Sequence, residues 1–233
     1  MDWWIVTWDL YRRVFSRAAS LAVRNWPVLF TTFAYSALFQ LTTLLAGPLG
    51  IFSGILNSLV FAACGSSFLY MIEMMVRTGR VSLADFQRSF GVYLWDVLAL
   101  SFVAWLVSMF VVPLILSLPQ GQVLLLCGLL AAFVFFNAVP ELIYIGRSHA
   151  LALLAESYQF VANNWIEWLP ANAAAALLLW VVATLPLDGM WALVPAVLTP
   201  LVLYFAMVMR GLLFLELSST SRRGRLFRYR AAS

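Results

Sequence analysis

The sequence predicts an all-α protein that crosses a membrane six times. Of its 233 residues, 64% are hydrophobic and only 10% are charged, which is far from the average of soluble domains. Its apolar runs reach the length of about 20 residues that a helix needs to cross a bilayer. The basic residues are all arginines and fall at alternate connections between these runs.

The apolar runs define six predicted spans in a single integral membrane domain, 1–233. The predicted spans are 26–46, 50–76, 95–118, 121–145, 165–186 and 190–217. Apart from Arg210, the arginines lie before the first span, after the second, after the fourth and in a basic tail, 218–233. Because cytoplasmic loops retain Lys and Arg, this asymmetry predicts a bacterial inner-membrane protein with both termini in the cytoplasm.

The chain also reads as three tandem repeats, which we place at 9–79, 80–147 and 148–217. Trp26, Trp95 and Trp165 recur at intervals of about 70 residues, a period typical of internal structural repeats. Each tryptophan follows a stretch of mixed polar and apolar residues and precedes a pair of spans. We therefore predict three helical hairpins, each preceded by an interfacial amphipathic helix.

The first surface helix shows the amphipathic pattern most clearly. Its apolar face is formed by Leu10, Val14, Phe15, Ala18, Leu21 and Ala22. Its opposite face carries the candidates for lipid headgroup contact: Arg12, Arg13, Arg17 and Arg24. Such a helix is expected to lie in the membrane interface, with its apolar face in the acyl boundary. Docking on a soluble cytoplasmic partner is the alternative.

The other two surface helices carry weaker signals. Ser82 and Asp85 are spaced as in a capping box, with Leu83, Phe86 and Phe90 on the predicted buried side. In the third repeat, apolar residues including Tyr158 and Val161 oppose Glu156 and Gln159. Both patterns indicate short helices with one apolar side.

A stripe of small residues opens the second span. Gly50, Gly54 and Ser58 follow one another at four-residue spacing, which lets two helices approach closely. We expect the stripe to pack against a helix of the same chain, and contact with a partner subunit is the alternative.

Arg210 is the best candidate for an intramembrane polar site. A charge within a span is costly and points to function by default. The acids expected nearest in depth are Asp96 and Glu167, which open the third and fifth spans. The long side chain can instead reach the interface and pair there. A guanidinium also matches a phosphate group, so a substrate or lipid-phosphate site is a third interpretation.

A second candidate set consists of one glutamate near the end of each even-numbered span: Glu73, Glu141 and Glu216. Around a pseudo-threefold axis, these carboxylates would form a ring that selects cations. The structural alternative is that each glutamate pairs with an arginine just beyond it, as the favourable i,i+4 spacing of Glu73 and Arg77 suggests.

No pattern in the sequence points to catalysis. The chain lacks a nucleotide-binding glycine loop, a zinc motif and a serine hydrolase motif. It contains one histidine and no lysine, so most acid–base and Schiff-base chemistry is not available to it. We expect no enzyme activity, no cofactor and no metal. The net charge is +4, and the basic residues lie at span ends and in the tail. This distribution favours binding to anionic lipids over binding to nucleic acid.

Two short motifs resemble those of bacterial polytopic membrane proteins in the YciC-like group and of the membrane domain of glycerophosphodiester phosphodiesterases. The motifs are Arg24-Asn25-Trp26-Pro27 and Asn163-Asn164-Trp165-Ile166. The middle repeat departs from them before Trp95. The resemblance implies a shared topology and no catalytic residue.

Two functions are compatible with these observations. The first is a non-catalytic integral membrane subunit that organises a larger inner-membrane complex or its lipids, with lipids and other membrane subunits as partners. The second is a transporter or permease for a lipid or small solute, including the membrane part of an ATP-driven system. Prolines within the spans supply the helix breaks that transporters use at their sites.

Overall fold

The computed structural model describes residues 2–146, 151–185, 193–220 and 224. Within these residues the structure is helical and contains no strand. Six of the described helices are long and apolar enough to cross a membrane. The predicted all-α, six-span membrane fold is therefore confirmed. Several predicted features lie outside the described residues: Arg147, the tail arginines and most of the fifth-to-sixth span connection.

The described part of the chain contains ten α-helices. They are α1 (Asp2–Arg24), α2 (Val28–Ala46), α3 (Ile51–Thr78), α4 (Leu83–Arg88), α5 (Leu94–Leu106), α6 (Val112–Leu116), α7 (Gly121–Phe135), α8 (Val139–Tyr144), α9 (Ala152–Ala183) and α10 (Leu193–Ser219). A π-helical stretch, Val107–Val111, joins α5 to α6 in the third span. The fourth span consists of α7 and α8 with a break between them.

A tight turn joins the third and fourth spans. Gln120 has a φ of 64°, in the left-handed region that non-glycine residues seldom adopt. A Cβ on the next residue, Gly121, would lie 2.2 Å from the carbonyl oxygen of Ile115. The turn therefore requires glycine at 121, and the two spans run antiparallel.

Each predicted tryptophan lies at the junction of a surface helix with a span. Trp26 lies between α1 and α2, and Trp95 is the second residue of α5. Trp165 follows Asn164, whose backbone is non-helical at φ −125° and ψ 16° inside α9. All three side chains are exposed. The surface helix of the third repeat thus ends at Asn164, where the helical geometry is broken and the span begins.

The second surface helix begins with the predicted capping box. The hydroxyl of Ser82 accepts a hydrogen bond from the Asp85 amide, and the Asp85 carboxylate accepts one from the Ser82 amide. Phe86 and Phe90 lie against the ring of Tyr35. Leu83, on the same predicted side of the helix, is exposed in the protein. It follows Ser82 directly at the start of a helix only six residues long.

The described chain divides into two compact units. Unit 1 comprises the described residues of Met1–Phe33, Ile72–Val81 and Asn164–Ser233. Unit 2 comprises those of Ala34–Met71 and Ser82–Asn163. These units cut across α2, α3 and α9 and do not coincide with the three predicted repeats. The assignment of a single domain stays a prediction.

Candidate functional site

In unit 1, helix α1 is anchored along one face. Val6, Leu10, Val14 and Ala18 are buried, and α1 packs against α10. The face that the sequence predicts to lie in lipid is therefore largely covered by protein. Phe15 was assigned to the same face, but it is 56% exposed. Its ring meets that of Phe205 edge-on at 5.1 Å.

The opposite side of α1 carries the predicted lipid-contacting arginines. Arg12, Arg17 and Arg24 are exposed. Arg13 is also exposed, and its Nε lies 3.1 Å from the carboxylate of Asp9. An exposed ion pair of this kind contributes little stability. The arginines are thus presented outward from a helix whose other face is held by the protein.

Arg210 lies against an aromatic ring in unit 1. Its guanidinium carbon is 5.3 Å from the ring centroid of Trp168, within the range of a cation–π interaction. Trp168 is fully buried and meets the ring of Phe214 edge-on at 6.2 Å. Glu167, the acid that the sequence places near Arg210, immediately precedes this tryptophan. Asp96 belongs to unit 2, so its pairing with Arg210 stays a prediction.

Glu167 lies where α1 meets α9. Its side chain is buried, and its backbone carbonyl accepts a hydrogen bond of 2.7 Å from the Tyr11 hydroxyl. Burial raises the pKa of Tyr11 to about 12, the negative charge of Glu167 adds to this rise, and a hydrogen bond to the Ala171 backbone opposes it. Tyr11 therefore stays protonated and links α1 to α9.

Asn172 adds a buried polar group to α9, one turn after Trp168. Its side chain is 2% exposed, and its amide nitrogen donates to the carbonyl oxygen of Trp168 at 2.7 Å. Its Oδ1 has no hydrogen-bond partner among the described residues. A polar residue in an alanine-rich span is a signal that could have identified Asn172 from the sequence. The roles of Tyr11 and Trp168 have no comparable local signal.

A second set of hydrogen bonds in unit 1 joins the ends of α1 and α3. The Asn25 side-chain amide donates to the carbonyl oxygens of Leu21 and Gly79, and its Oδ1 accepts from the Val81 amide. The Tyr204 hydroxyl lies 3.0 Å from the carbonyl oxygen of Asn25. Asn25 thus satisfies backbone groups of α1 and of the segment that follows α3.

Unit 2 contains a break in the fourth span, between α7 and α8. The Ser157 hydroxyl donates to the carbonyl oxygen of Phe135 at 2.8 Å and accepts from the amide of Ala138 at 3.2 Å. One buried hydroxyl therefore satisfies a backbone group on each side of the break. Glu141 lies in the first turn of α8, directly after Pro140, and is fully buried. The sequence predicts a kink at Pro140, because proline disrupts a helix before it.

Ser66 makes a comparable connection in unit 2, between α3 and the residues that join the second surface helix to the third span. The Ser66 hydroxyl of α3 donates to the carbonyl oxygen of Ser89 and accepts from the amide of Tyr93. The side chain of Ser67 bonds to Tyr35 at 2.6 Å and also contacts the Ser89 hydroxyl. These bonds fix the second surface helix to α2 and α3.

Of the three candidate glutamates, Glu73 has the partner that its spacing predicts. The Nε of Arg77 lies 3.0 Å from Oε1 of Glu73. Glu73 and Glu216 belong to unit 1, and Glu141 belongs to unit 2. A ring of the three carboxylates stays a prediction.

The small-residue stripe is open in the described part of the chain. Gly50, Gly54 and Ser58 are exposed. A Cβ placed on Gly50 or Gly54 would meet no neighbouring atom within 4 Å. Gly50 also has a φ of 58° and precedes α3 instead of lying within it. The expected packing of this stripe against another helix of the chain is therefore absent from the described residues.

No metal site is evident in the described ranges, where no three His, Cys, Asp or Glu side chains are grouped to hold an ion. Comparison of the chain with models of protein families, with curated proteins and with solved structures found no match. The candidate site in unit 1 consists of the exposed arginines of α1 together with the contacts of Tyr11 with Glu167 and of Arg210 with Trp168.

Proposed function

We propose that this chain is a non-catalytic integral membrane protein that organises anionic lipid at the cytoplasmic face of a bacterial inner membrane, as a subunit of a larger complex. The observation that carries the proposal is the arrangement of α1. One face packs on α10, while Arg12, Arg17 and Arg24 are exposed.

Because α1 is anchored on the protein, its exposed arginines are held in fixed positions along the helix. A free amphipathic helix would insert its apolar face into lipid, whereas α1 already buries Leu10 and Val14 against protein. Its 23 residues extend for about 35 Å. An arginine near an anionic surface contributes about 1 kcal/mol. Three arginines fixed along one helix therefore favour acidic over zwitterionic headgroups around it.

Further arginines support the proposed orientation. Arg77 lies in the last turn of α3 and Arg80 just after that helix, at the end of the second span that lies on the same side as the start of the first span. Arginine-rich ends remain in the cytoplasm. Exposed Trp26 and Trp165 at the span junctions suit the headgroup level, where the amphipathic indole ring is favoured.

Lipid analysis of the protein excised from its membrane in polymer nanodiscs tests this proposal. The variant with Arg12, Arg17 and Arg24 all changed to Gln should lose enrichment of phosphatidylglycerol and cardiolipin. The matched variant with the same three residues changed to Lys should keep it, because the charge remains. Unchanged enrichment in the Gln variant would contradict the proposal.

The subunit role has a separate test. A pull-down from mild detergent should recover other integral membrane proteins in fixed stoichiometry with this chain. Recovery of a homogeneous protein without any partner would contradict the subunit role and leave the lipid role standing.

The alternative function, a translocator of lipid or solute, is favoured by one observation in unit 2. The fourth span breaks at the residues between α7 and α8, and Glu141 is fully buried just after the break. Transporters often place their sites at discontinuous helices. Proteoliposomes with a fluorescent phospholipid and an impermeant quencher would measure lipid flipping. Flipping that is lost in Glu141→Gln but kept in Glu73→Gln would support this function, and no flipping above protein-free vesicles would exclude it for lipids.

A further inference from the structure

A cavity of about 370 Å³ lies within unit 1 between α1, α9 and α10. This volume falls in the range of about 300–1,000 Å³ that is typical of ligand pockets. The lining residues are apolar apart from Tyr11, and the α1 wall consists of Tyr11, Val14 and Phe15. The Tyr11 hydroxyl is already bonded to the carbonyl oxygen of Glu167. The cavity therefore suits a hydrocarbon and offers little to a polar solute.

The sequence of α9 creates this space. Its wall is formed by Pro170 and by the small side chains of Ala171, Ala174 and Ala175, with Leu178 at the far end. The alanine positions repeat at three and four residues, so they share one side of the helix. Larger side chains at these positions would fill the gap.

The cavity is elongated along the spans. Its lining runs from Pro170 to Leu178 on α9 and from Val202 to Leu213 on α10. At 1.5 Å per residue, these stretches are about 12 and 16 Å long. Both belong to helices that can cross a membrane. A narrow apolar space in this direction matches an acyl chain that enters from the surrounding bilayer.

Arg12 carries a positive charge next to residues of the α1 wall of the cavity. Arg12 directly follows Tyr11, and it is exposed. It lies four residues after Trp8 and three before Phe15, so these three side chains share one side of α1. Trp8 and Phe15 are both exposed, and Phe15 lines the cavity. Exposed aromatic side chains on the same side of the helix as a guanidinium complement a lipid with a negative phosphate.

We propose that this cavity holds one acyl chain of an anionic phospholipid and that Arg12 contacts the phosphate of the same molecule. The inference rests on the lipid-organising function proposed above and adds a defined site to it. Arg13 is excluded from this role because it faces a different side of α1, where it pairs with Asp9.

Photo-cross-linking tests the site. The full chain is reconstituted in nanodiscs of phosphatidylglycerol or phosphatidylcholine whose acyl chain carries a diazirine, and cross-linked peptides are mapped by mass spectrometry. We expect phosphatidylglycerol to label the 170–178 and 202–213 segments in preference to the lipid-facing surface elsewhere. Ala174→Phe should abolish this labelling because its ring fills the cavity. Leu177→Phe is the matched control, since Leu177 is exposed on α9 outside the lining.

The headgroup contact has its own pair of variants. Arg12→Gln should reduce phosphatidylglycerol labelling of the cavity about fivefold, the loss expected for one arginine near an acidic headgroup. Arg88→Gln, which removes an exposed arginine from the end of α4 in unit 2, should leave it unchanged. For the cavity itself, Ala174→Leu fills the space with a smaller side chain. It provides a second test if Ala174→Phe does not fold.

The outcomes separate this inference from the broader function. Labelling that is spread evenly over the spans and insensitive to Ala174→Phe would overturn the cavity site, even if enrichment of acidic lipids remained dependent on the α1 arginines. Equal cavity labelling by the two lipids would overturn the role of Arg12. Absence of any acidic-lipid enrichment would instead overturn the proposed function itself.

Discussion

The guanidinium carbon of Arg210 lies 5.3 Å from the ring centroid of Trp168. The two residues belong to α10 and α9, so the contact joins the fifth and sixth spans near the ends that meet α1. A cation that faces an indole ring gains electrostatic attraction from the π system. The fully buried Trp168 is thus part of what makes a charge within a predicted span tolerable.

Changing either partner should destabilise the protein, and the two changes should not be additive. Trp168→Leu should lower the free energy of unfolding by about 1–3 kcal/mol through lost packing. Arg210→Gln should lower it by a smaller amount. Thermal unfolding of the single and double variants in detergent should give a coupling of about 0.5–2 kcal/mol. Strict additivity would contradict a direct interaction between the two side chains.

Ser157→Ala should destabilise the break in the fourth span. The change leaves the Phe135 carbonyl and the Ala138 amide without their bond to the Ser157 hydroxyl, at a cost of about 1–3 kcal/mol for buried groups. Hydrogen exchange should accelerate at Ala138. Ser117→Ala removes an exposed serine hydroxyl bonded to a local carbonyl and should have little effect. Equal effects of Ser157→Ala and Ser117→Ala on stability would show that the Ser157 hydrogen bonds do not stabilise the break.

Asn25→Ala should loosen the connection between α1 and the segment after α3. The variant loses two donated bonds and one accepted bond, so we expect a loss of about 1–3 kcal/mol. Asn25→Asp keeps an acceptor for the Val81 amide but loses both donors to carbonyl groups. It should therefore be destabilised as well. Hydrogen exchange at the Val81 amide distinguishes the two variants. Its rate should rise in Asn25→Ala, and it should be slower in Asn25→Asp than in Asn25→Ala.

Alkaline pH should weaken the contact between Tyr11 and α9. The pKa of Tyr11 rises from 10.0 to about 12 in the folded protein. Between these pH values the unfolded chain releases the proton and the folded chain retains it. The stability that Tyr11 contributes is therefore fully present below pH 10 and is lost as pH rises through about 12.

The measurement is the unfolding temperature in detergent from pH 8 to 12, compared between the natural chain and Tyr11→Phe. The decline of the unfolding temperature above pH 10 should be shallower in Tyr11→Phe than in the natural chain. Tyr158→Phe, the same change at an exposed tyrosine of unit 2, should follow the natural chain. An identical slope for Tyr11→Phe would contradict the assignment.

Features that depend on neighbours in the chain were predictable. The capping box of Ser82 and Asp85 and the ion pair of Glu73 and Arg77 formed as their three- and four-residue spacings indicate. Helix geometry brings residues at these separations together regardless of the rest of the fold. The position of Trp26 between its surface helix and span follows equally from local hydrophobic pattern.

Features that depend on the assembly of helices were not predictable. The apolar face of α1 is recognisable in the sequence, but the pattern cannot tell whether protein or lipid covers it, because both are apolar. Leu10 lies in the protein interior, while Phe15 on the predicted apolar face is mostly exposed. The stripe that includes Gly54 is a similar case, since a glycine permits close approach of two helices but does not specify which helix approaches.

The sequence by itself determined the spans and their helical nature, because 20 apolar residues can cross a bilayer only with their backbone groups bonded internally. It also determined which helix would carry arginines outward. Only the tertiary structure decided what lies behind that helix. The bond between Tyr11 and Glu167 joins residues 156 positions apart, and the cavity beside it needs walls from α1, α9 and α10. No periodicity along one helix encodes such distant contacts, because they depend on how the helices pack.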